Sequence, residues 1–124
     1  MYSFSTVEEF SKLREPVRRR LSQLLSAGGE PMFVAVNEAV NNAIFHGNKR
    51  DNSKKVHLSI TGFPDEVQVT IQDEGDGLMS SVQEANADSF RESGRGLEII
   101  GLCVDNYYFK APPNEMVLIK KITA

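Results

Sequence analysis

A carboxylate and a carboxamide one helical turn apart form the first pattern that could do chemistry. Glu38 and Asn42 lie within the run from Asn37 to Gly47, and in a helix of 3.6 residues per turn they are roughly 40° apart on one face. Both side chains offer oxygen atoms that can share a hard cation or hold a water molecule. The common alternative is a solvated helix face. Consecutive asparagines are weak helix formers, however, which indicates a constraint other than helix stability.

A second pattern is a carboxylate followed by glycines at the end of an alternating segment. Asp73, Gly75 and Gly77 come directly after residues 67–72. A carboxylate at a strand end can accept hydrogen bonds from an amino group and a water molecule, and the glycines let a flat ligand approach the backbone. Turns rich in Asp and Gly are also routine after strands. The spacing is not that of an Asp-x-Asp-x-Asp calcium loop.

The third pattern is a glycine-rich start to an apolar helix, formed by Gly94, Arg95 and Gly96. Free N–H groups and the positive dipole end of a helix favour an anion there, and the arginine fork suits phosphate. The pattern is neither a dinucleotide fingerprint, since Ile99 replaces the third glycine, nor a P-loop. A single Gly-x-Gly is weak, but the three patterns together provide for the metal, the base and the phosphates of a nucleotide.

Helical signals near the start of the chain must support these patterns. Thr6-x-x-Glu9 fits a capping box that opens a helix, and a leucine stripe continues the helix to about Ser26. Pro16 falls inside this span, so it should kink the helix or mark its true first turn. The Gly28-Gly29 pair is expected to end the helix.

A second helix and a hairpin follow. Pro31 is expected to start the helix, because proline is welcome in a first turn, and Gly47 to end it. Apolar and polar residues alternate over 56–61 and again over 67–72, with Phe63–Glu66 as the turn between them. This alternation predicts an antiparallel hairpin with one buried face.

The remaining elements complete a single domain over residues 1–124. The polar stretch from Gly75 to Gly94 is typical of a lid or binding loop. Gly96–Cys103 is expected to form a short buried helix, and Tyr107–Lys110 and Met116–Ile122 to form two further strands. The order predicts an α+β two-layer sandwich, with a mixed, mainly antiparallel sheet covered by helices on one face.

Composition excludes several function classes. The 124 residues carry 14 Lys and Arg against 17 Asp and Glu, a net charge of −3, with 40% hydrophobic residues. This is globular composition, and its acidity argues against nucleic acid as the main partner. There is no apolar run of membrane-spanning length and no signal-peptide core. One cysteine, Cys103, cannot form an internal disulfide, so a cytoplasmic location is expected.

The three patterns resemble those of the histidine-kinase-like ATPase superfamily. Glu38-x-x-x-Asn42 resembles its N box, Asp73-x-Gly75-x-Gly77 its first glycine box, and Gly94-x-Gly96 its second. Within the superfamily, the run Asn37–Gly47, the short lid and Ser93–Leu97 resemble the anti-sigma-factor serine kinases of bacterial partner switches. The resemblance spans essentially the whole chain and implies a Bergerat-type ATP-binding fold.

The resemblance also implies roles in binding ATP and Mg²⁺. Asp73 would accept a hydrogen bond from the adenine amino group, and Gly75 and Gly77 would shape that pocket. Asn42 would ligate Mg²⁺ bridging the phosphates. The phosphates themselves would be held by Gly94, Arg95 and Gly96.

The implied activity is phosphoryl transfer to a protein. Glu38 would be the general base that takes the proton of a serine hydroxyl on an anti-sigma-factor antagonist. The other partner would be a sigma factor, held inactive by a homodimer. The alternative is a nucleotide-gated binding protein of the same fold without kinase activity, and the presence of Glu38 favours the enzyme. A sensor kinase is disfavoured because the only histidines, His46 and His57, are not on a histidine-bearing dimerisation helix.

Two departures from the family pattern stand out. The turn at Pro113-Asn114-Glu115 lacks the expected glycine, which we expect to affect only the hairpin. The lid from Leu78 to Ser93 has no lysine, so the sequence does not identify the cation that meets the γ-phosphate.

His57, on a polar strand face, is expected to be exposed. The basic run Arg18–Arg20 is expected to form a solvated face or to meet acidic partner surfaces, since no aromatic residues accompany it for nucleic-acid binding.

Overall fold

A computed structural model describes residues 1–49, 51–75, 96–110 and 114–122. The sequence predictions made for Gly77, Gly94, Arg95 and the lid fall outside these ranges. The elements in chain order are β1 (Tyr2–Phe4), α1 (Val7–Ser11), α2 (Arg14–Leu25), a 3₁₀ turn (Ser26–Gly28), α3 (Gly29–Asn42), a π-helical turn (Ala43–Gly47), β2 (Val56–Gly62), β3 (Glu66–Asp73), α4 (residues 96–103), β4 (Asn106–Lys110) and β5 (Glu115–Lys121).

The five described strands form one sheet in the order β1-β2-β3-β5-β4, and each pairing is antiparallel. Leu58 on β2 lies opposite Ile71 on β3, which lies opposite Met116 on β5. Residues directly opposite one another share a face of the sheet. The helices supply the other half of the core that covers this face, including Val17, Val36 and Ile100. The predicted α+β sandwich is therefore confirmed, and its described pairings are wholly antiparallel.

The N-terminal helical region is two helices instead of the expected one. The capping box is present: Thr6 Oγ1 accepts from the Glu9 N–H at 3.0 Å, and Glu9 Oε1 accepts from the Thr6 N–H at 3.1 Å. The helix that it opens ends at Ser11, and α2 begins at Arg14. Pro16 lies in the first turn of α2, where its missing N–H costs nothing. Pro16 therefore marks the start of a second helix, one of its two predicted roles.

The α2 and α3 helices approach closely at their junction. A Cβ atom on Gly29 would lie 2.9 Å from the Ser22 backbone, so a larger residue would push the two helices apart. The Gly28-Gly29 pair was expected to end the preceding helix, but Gly29 is the first residue of α3. Pro31 again lies in a first turn.

The far end of α3 and the later elements also refine the predictions. The last five residues before the loop form a π-helical turn, not a continued α-helix. The predicted hairpin is confirmed, with the Phe63 N–H donating to the Glu66 carbonyl at 2.8 Å. The prediction that α4 is a buried helix is wrong for one side of it, since the Leu102 side is exposed: Leu102 is 83% exposed and Ile99 is 37% exposed. None of the helices within the described ranges has the length and apolar character to cross a membrane.

Candidate functional site

The C-terminal end of α3 carries a buried amide. Asn42 is 7% exposed, so this end of the helix face is not the solvated surface that was the alternative prediction. Its Nδ2 has no hydrogen-bond partner among the described residues, and an unpaired buried polar group is costly. Glu38, one turn earlier, is half-buried. The two residues of the first pattern therefore lie on one face, with the amide turned into the protein.

The start of α4 lies against this amide. A Cβ atom on Gly96 would be 3.0 Å from Asn42 Nδ2 and 3.3 Å from its Oδ1. Only a glycine leaves this approach open without a shift of the amide. The structure therefore brings together the described residue of the third pattern and the polar end of the first.

The C-terminal end of β3 lies against the same helix end from another side. Asp73 is 7% exposed, and its Oδ1 accepts from the Gly75 N–H at 3.0 Å. A Cβ atom on Gly47 would lie 2.6 Å from the Asp73 carboxyl carbon, and one on Gly75 would lie 2.8 Å from the Gly47 carbonyl carbon. Each substitution would overlap its neighbour. The first and second patterns therefore meet at these two glycines.

The combined arrangement has the chemistry of a nucleotide pocket. A strand-end carboxylate, backbone made accessible by glycines and a buried amide converge around the end of α3. Rotation of an amide about its last bond turns either its donor or its carbonyl oxygen toward a ligand, so Asn42 fits a hard cation as one oxygen ligand. No group of three or more His, Cys, Asp or Glu side chains suited to a metal occurs within the described ranges. A cation here would need further ligands such as phosphate oxygens.

A shell of hydrogen bonds around Asp73 was missed by sequence reasoning. Asn48, 2% exposed, accepts from the Glu74 N–H at 2.9 Å and donates to the Lys55 carbonyl at 3.1 Å. Hydrogen bonds from the Lys55 N–H and from His57 hold the pKa of the Glu74 carboxyl below its usual range. His57 is thus a bonded member of the shell, and the expectation that it is simply exposed is wrong. The only sequence signal was an asparagine directly after Gly47.

The turn before β5 also reaches this shell. The Asn114 carbonyl accepts from the Asp73 N–H at 3.0 Å, and its side-chain Nδ2 donates to the Gly75 carbonyl. The departure from the expected glycine in this turn was predicted to affect only the hairpin. That prediction is wrong, because the side chain that replaces the glycine contacts the second pattern.

Comparison with known proteins places the chain among nucleotide-binding domains. Residues 9–121 match the family described as histidine kinase-like ATPase domain. An anti-sigma F factor of Clostridium perfringens is 31% identical over 71% of this chain and 69% of its own length, and one of Bacillus subtilis is 30% identical over 87% and 72%. The serine-protein kinase RsbW of Staphylococcus aureus is 27% identical over 92% of this chain and 87% of its own. The range matched by the family, residues 9–121, includes all three patterns.

Proposed function

The chain belongs to the histidine kinase-like ATPase domain family, in the group of the anti-sigma serine kinases, and we propose that it is an ATP-dependent serine-protein kinase that sequesters a sigma factor. The observation that carries the proposal is that described residues of each pattern approach one another at the end of α3, Gly47 with Asp73 and Gly96 with Asn42. The proposal is supported by the names of the relatives, which are an anti-sigma F factor and a serine-protein kinase.

In the proposed site Asp73 recognises the nucleotide base. Its carboxylate accepts a hydrogen bond from the adenine amino group, and a charged acceptor strengthens such a bond. Gly75 and Gly77 let the planar base approach the backbone. The start of α4 faces the phosphates, because the N–H groups at a helix start favour an anion. The phosphate-binding residues are Gly94, Arg95 and Gly96.

Asn42 is the proposed protein ligand for Mg²⁺. Its amide is buried and has no partner for Nδ2 among the described residues, and it lies beside the proposed phosphate-binding helix start. Bound Mg²⁺ would neutralise charge on the phosphates during transfer.

Glu38 is the proposed general base. The serine oxygen of the acceptor bonds to the γ-phosphorus while the Glu38 carboxylate takes the serine proton. The bond from the γ-phosphorus to the β–γ bridging oxygen breaks, and ADP leaves with the electron pair. Because the covalent demands on the protein are small, positioning and charge neutralisation supply most of the rate acceleration. Glu38 lies one helical turn from the Mg²⁺ ligand, which suits these roles.

The proposed acceptor is a serine of an anti-sigma-factor antagonist, a small protein that competes with the sigma factor for this chain. The chain acts as a homodimer in the cytoplasm. Phosphorylation of the antagonist adds charge of about −2 at neutral pH. That charge would disfavour rebinding of the antagonist and leave the sigma factor bound.

A labelling experiment tests the kinase. The wild-type chain is incubated with γ-labelled ATP, Mg²⁺ and a candidate antagonist, beside Glu38→Gln and Glu30→Gln. Glu30 is an exposed glutamate at the start of the same helix, so it controls for loss of charge. We expect Glu38→Gln to retain ATP binding while labelling falls by about 10²- to 10⁴-fold, and Glu30→Gln to label normally.

Two results would contradict this proposal. Full labelling of the antagonist by Glu38→Gln would show that Glu38 is not the general base. A wild-type chain that binds ATP and the sigma factor but labels no antagonist would favour the alternative function, a nucleotide-gated binding protein without transfer activity.

A further inference from the structure

We propose that Asn48 is a positioning residue that aims the Asp73 carboxylate at the nucleotide base. The inference rests on the proposed function, because it takes Asp73 as the acceptor for the adenine amino group. Asn48 directly follows the π-helical turn, at the start of the loop over residues 48–55, which is polar and mostly basic in sequence. It is nevertheless 2% exposed.

Both ends of the Asn48 amide are used. Nδ2 donates to the Lys55 carbonyl at 3.1 Å, and Oδ1 accepts from the Glu74 N–H at 2.9 Å. A carbonyl can only accept and an N–H can only donate, so the two partners fix the orientation of the amide. The side chain thereby joins the loop after α3 to the turn after β3. We call this pair of hydrogen bonds the Asn48 latch.

The Glu74 side chain closes the latch into a ring. Its Oε1 accepts from the Lys55 N–H at 2.8 Å, so Lys55 is bonded both to Asn48 and to Glu74. The other carboxylate oxygen of Glu74, Oε2, lies 2.9 Å from His57 Nε2, and His57 Nδ1 lies 2.8 Å from Ser3 Oγ. The turn after β3 is therefore tied through Glu74 to the loop and to the edge strand β1.

The latch acts on Asp73 through the intervening peptide. Glu74 stands between Asp73 and Gly75, and the Gly75 N–H holds the Asp73 carboxylate at 3.0 Å. If Asn48 no longer accepts from Glu74, a part-buried N–H loses its partner, and the turn must rotate to recover one. Such a rotation moves the Gly75 N–H and changes the direction of the carboxylate. A hydrogen bond weakens steeply as its donor–hydrogen–acceptor angle departs from linear. The proposed hydrogen bond between Asp73 and the adenine amino group is therefore the first contact to be weakened.

Two substitutions separate this role from simple support of the fold. Asn48→Ala removes both hydrogen bonds. Asn48→Asp keeps the size of the side chain and the acceptor for Glu74, but it cannot donate to the Lys55 carbonyl. Asn52→Ala is the matched control, because Asn52 is an exposed asparagine of the same loop.

The experiment compares the dissociation constants of ATP and inosine triphosphate by calorimetry. The two nucleotides share their phosphates, but inosine carries a carbonyl oxygen where adenine carries its amino group. We expect the wild type and Asn52→Ala to prefer ATP. In Asn48→Ala, the affinity for ATP should fall about tenfold, as for one lost hydrogen bond to a charged group, while the affinity for inosine triphosphate stays the same. Asn48→Asp, which keeps the acceptor for the Glu74 N–H, should retain the preference for ATP.

The alternatives give different results. Equal losses for both nucleotides in the two Asn48 variants would show a structural role alone and overturn the latch, as would a wild-type preference in Asn48→Ala. A wild-type chain that binds ATP and inosine triphosphate equally would overturn the adenine role of Asp73, and a wild-type chain that binds neither would overturn the proposed nucleotide site.

Discussion

Two glycines set how closely the end of α3 approaches the end of β3. Gly47 leaves room for the Asp73 carboxyl, and Gly75 leaves room for the Gly47 carbonyl. The second overlap would be with backbone, which has little freedom to move aside. The absence of a Cβ atom at Gly47 and Gly75 therefore allows the end of α3 to contact the end of β3, in addition to any effect on the flexibility of a turn.

Gly47→Ala should weaken ATP binding by tenfold or more. The added methyl group would lie 2.6 Å from the Asp73 carboxyl carbon, so the short Asp73 side chain must leave its position and lose its proposed hydrogen bond to the adenine base. Isothermal calorimetry with ATP checks this. Gly62→Ala is the control, since its Cβ atom would meet only the flexible end of Leu24 at 3.2 Å. Unchanged affinity in Gly47→Ala would contradict the role given to the Gly47–Asp73 contact.

Residue types in the sequence were sufficient to single out Asp73, Asn42 and the glycines, because carboxylates, amides and glycines in such spacings have few uses together. The residues that support them were not predictable in this way. Asn48 and Glu74 are 26 residues apart in sequence, and Asn114 and Gly75 are 39 apart. Their pairing depends on how β3, β5 and the loop after α3 come together, which no local pattern encodes.

At the scale of elements, the capping box of α1 makes stability depend on pH. Backbone hydrogen bonds from Ser5 and Thr6 hold the pKa of the Glu9 carboxyl below its usual range. A depressed pKa in the folded state stabilises the protein above the unfolded pKa, about 4.3 for glutamate. This contribution is lost as the pH falls through the lower, folded value.

Glu9→Gln should therefore reduce the free energy of unfolding at pH 7, and the difference from wild type should shrink as the pH falls below about 4.3. Urea unfolding followed by circular dichroism at pH 7 and at pH values near 4 measures it. Glu8→Gln removes the same charge from the same helical turn outside the capping box. A difference that stays constant with pH, or that appears equally in Glu8→Gln, would contradict the assignment.

Element types were largely predictable because hydrophobic periodicity reflects which face is buried. The alternation around Leu58 and Val69 identified the hairpin and its inward face. The same periodicity could not show that the first helical stripe breaks between Ser11 and Arg14, because the apolar positions continue across the break. It also could not show the π-helical turn at Ala43–Gly47, which contacts β3.

At the scale of the whole molecule, nucleotide binding should be visible as stabilisation. A ligand at 100 times its dissociation constant adds about 2.7 kcal/mol to the free energy of unfolding, which for a chain of this size raises Tm by about 10 °C. We expect ATP with Mg²⁺ to produce such a rise, and Asn42→Ala to lose the part that depends on Mg²⁺. Scanning calorimetry with and without Mg²⁺ measures both parts.

Asn41→Ala is the matched control for this measurement, because Asn41 is the neighbouring half-buried asparagine on the same helix. It should keep the full Mg²⁺-dependent rise in Tm. Equal rises in all three chains would contradict the assignment of Asn42 as a metal ligand, and no rise in any of them would contradict the nucleotide site.

The strand order has a consequence for synthesis on the ribosome. β3 is paired on one side with β2, which precedes it closely in the chain, and on the other with β5, which follows much later. A nascent chain that has emerged only as far as Gly75 already contains Asp73, Gly47 and Gly75. It still lacks Asn114 and therefore the hydrogen bonds from Asn114 to Asp73 and Gly75. Contacts between distant segments form slowly, since their loop must close first. The part of the site that is proposed to bind the nucleotide base therefore forms late, after β4 and β5 have left the tunnel and docked.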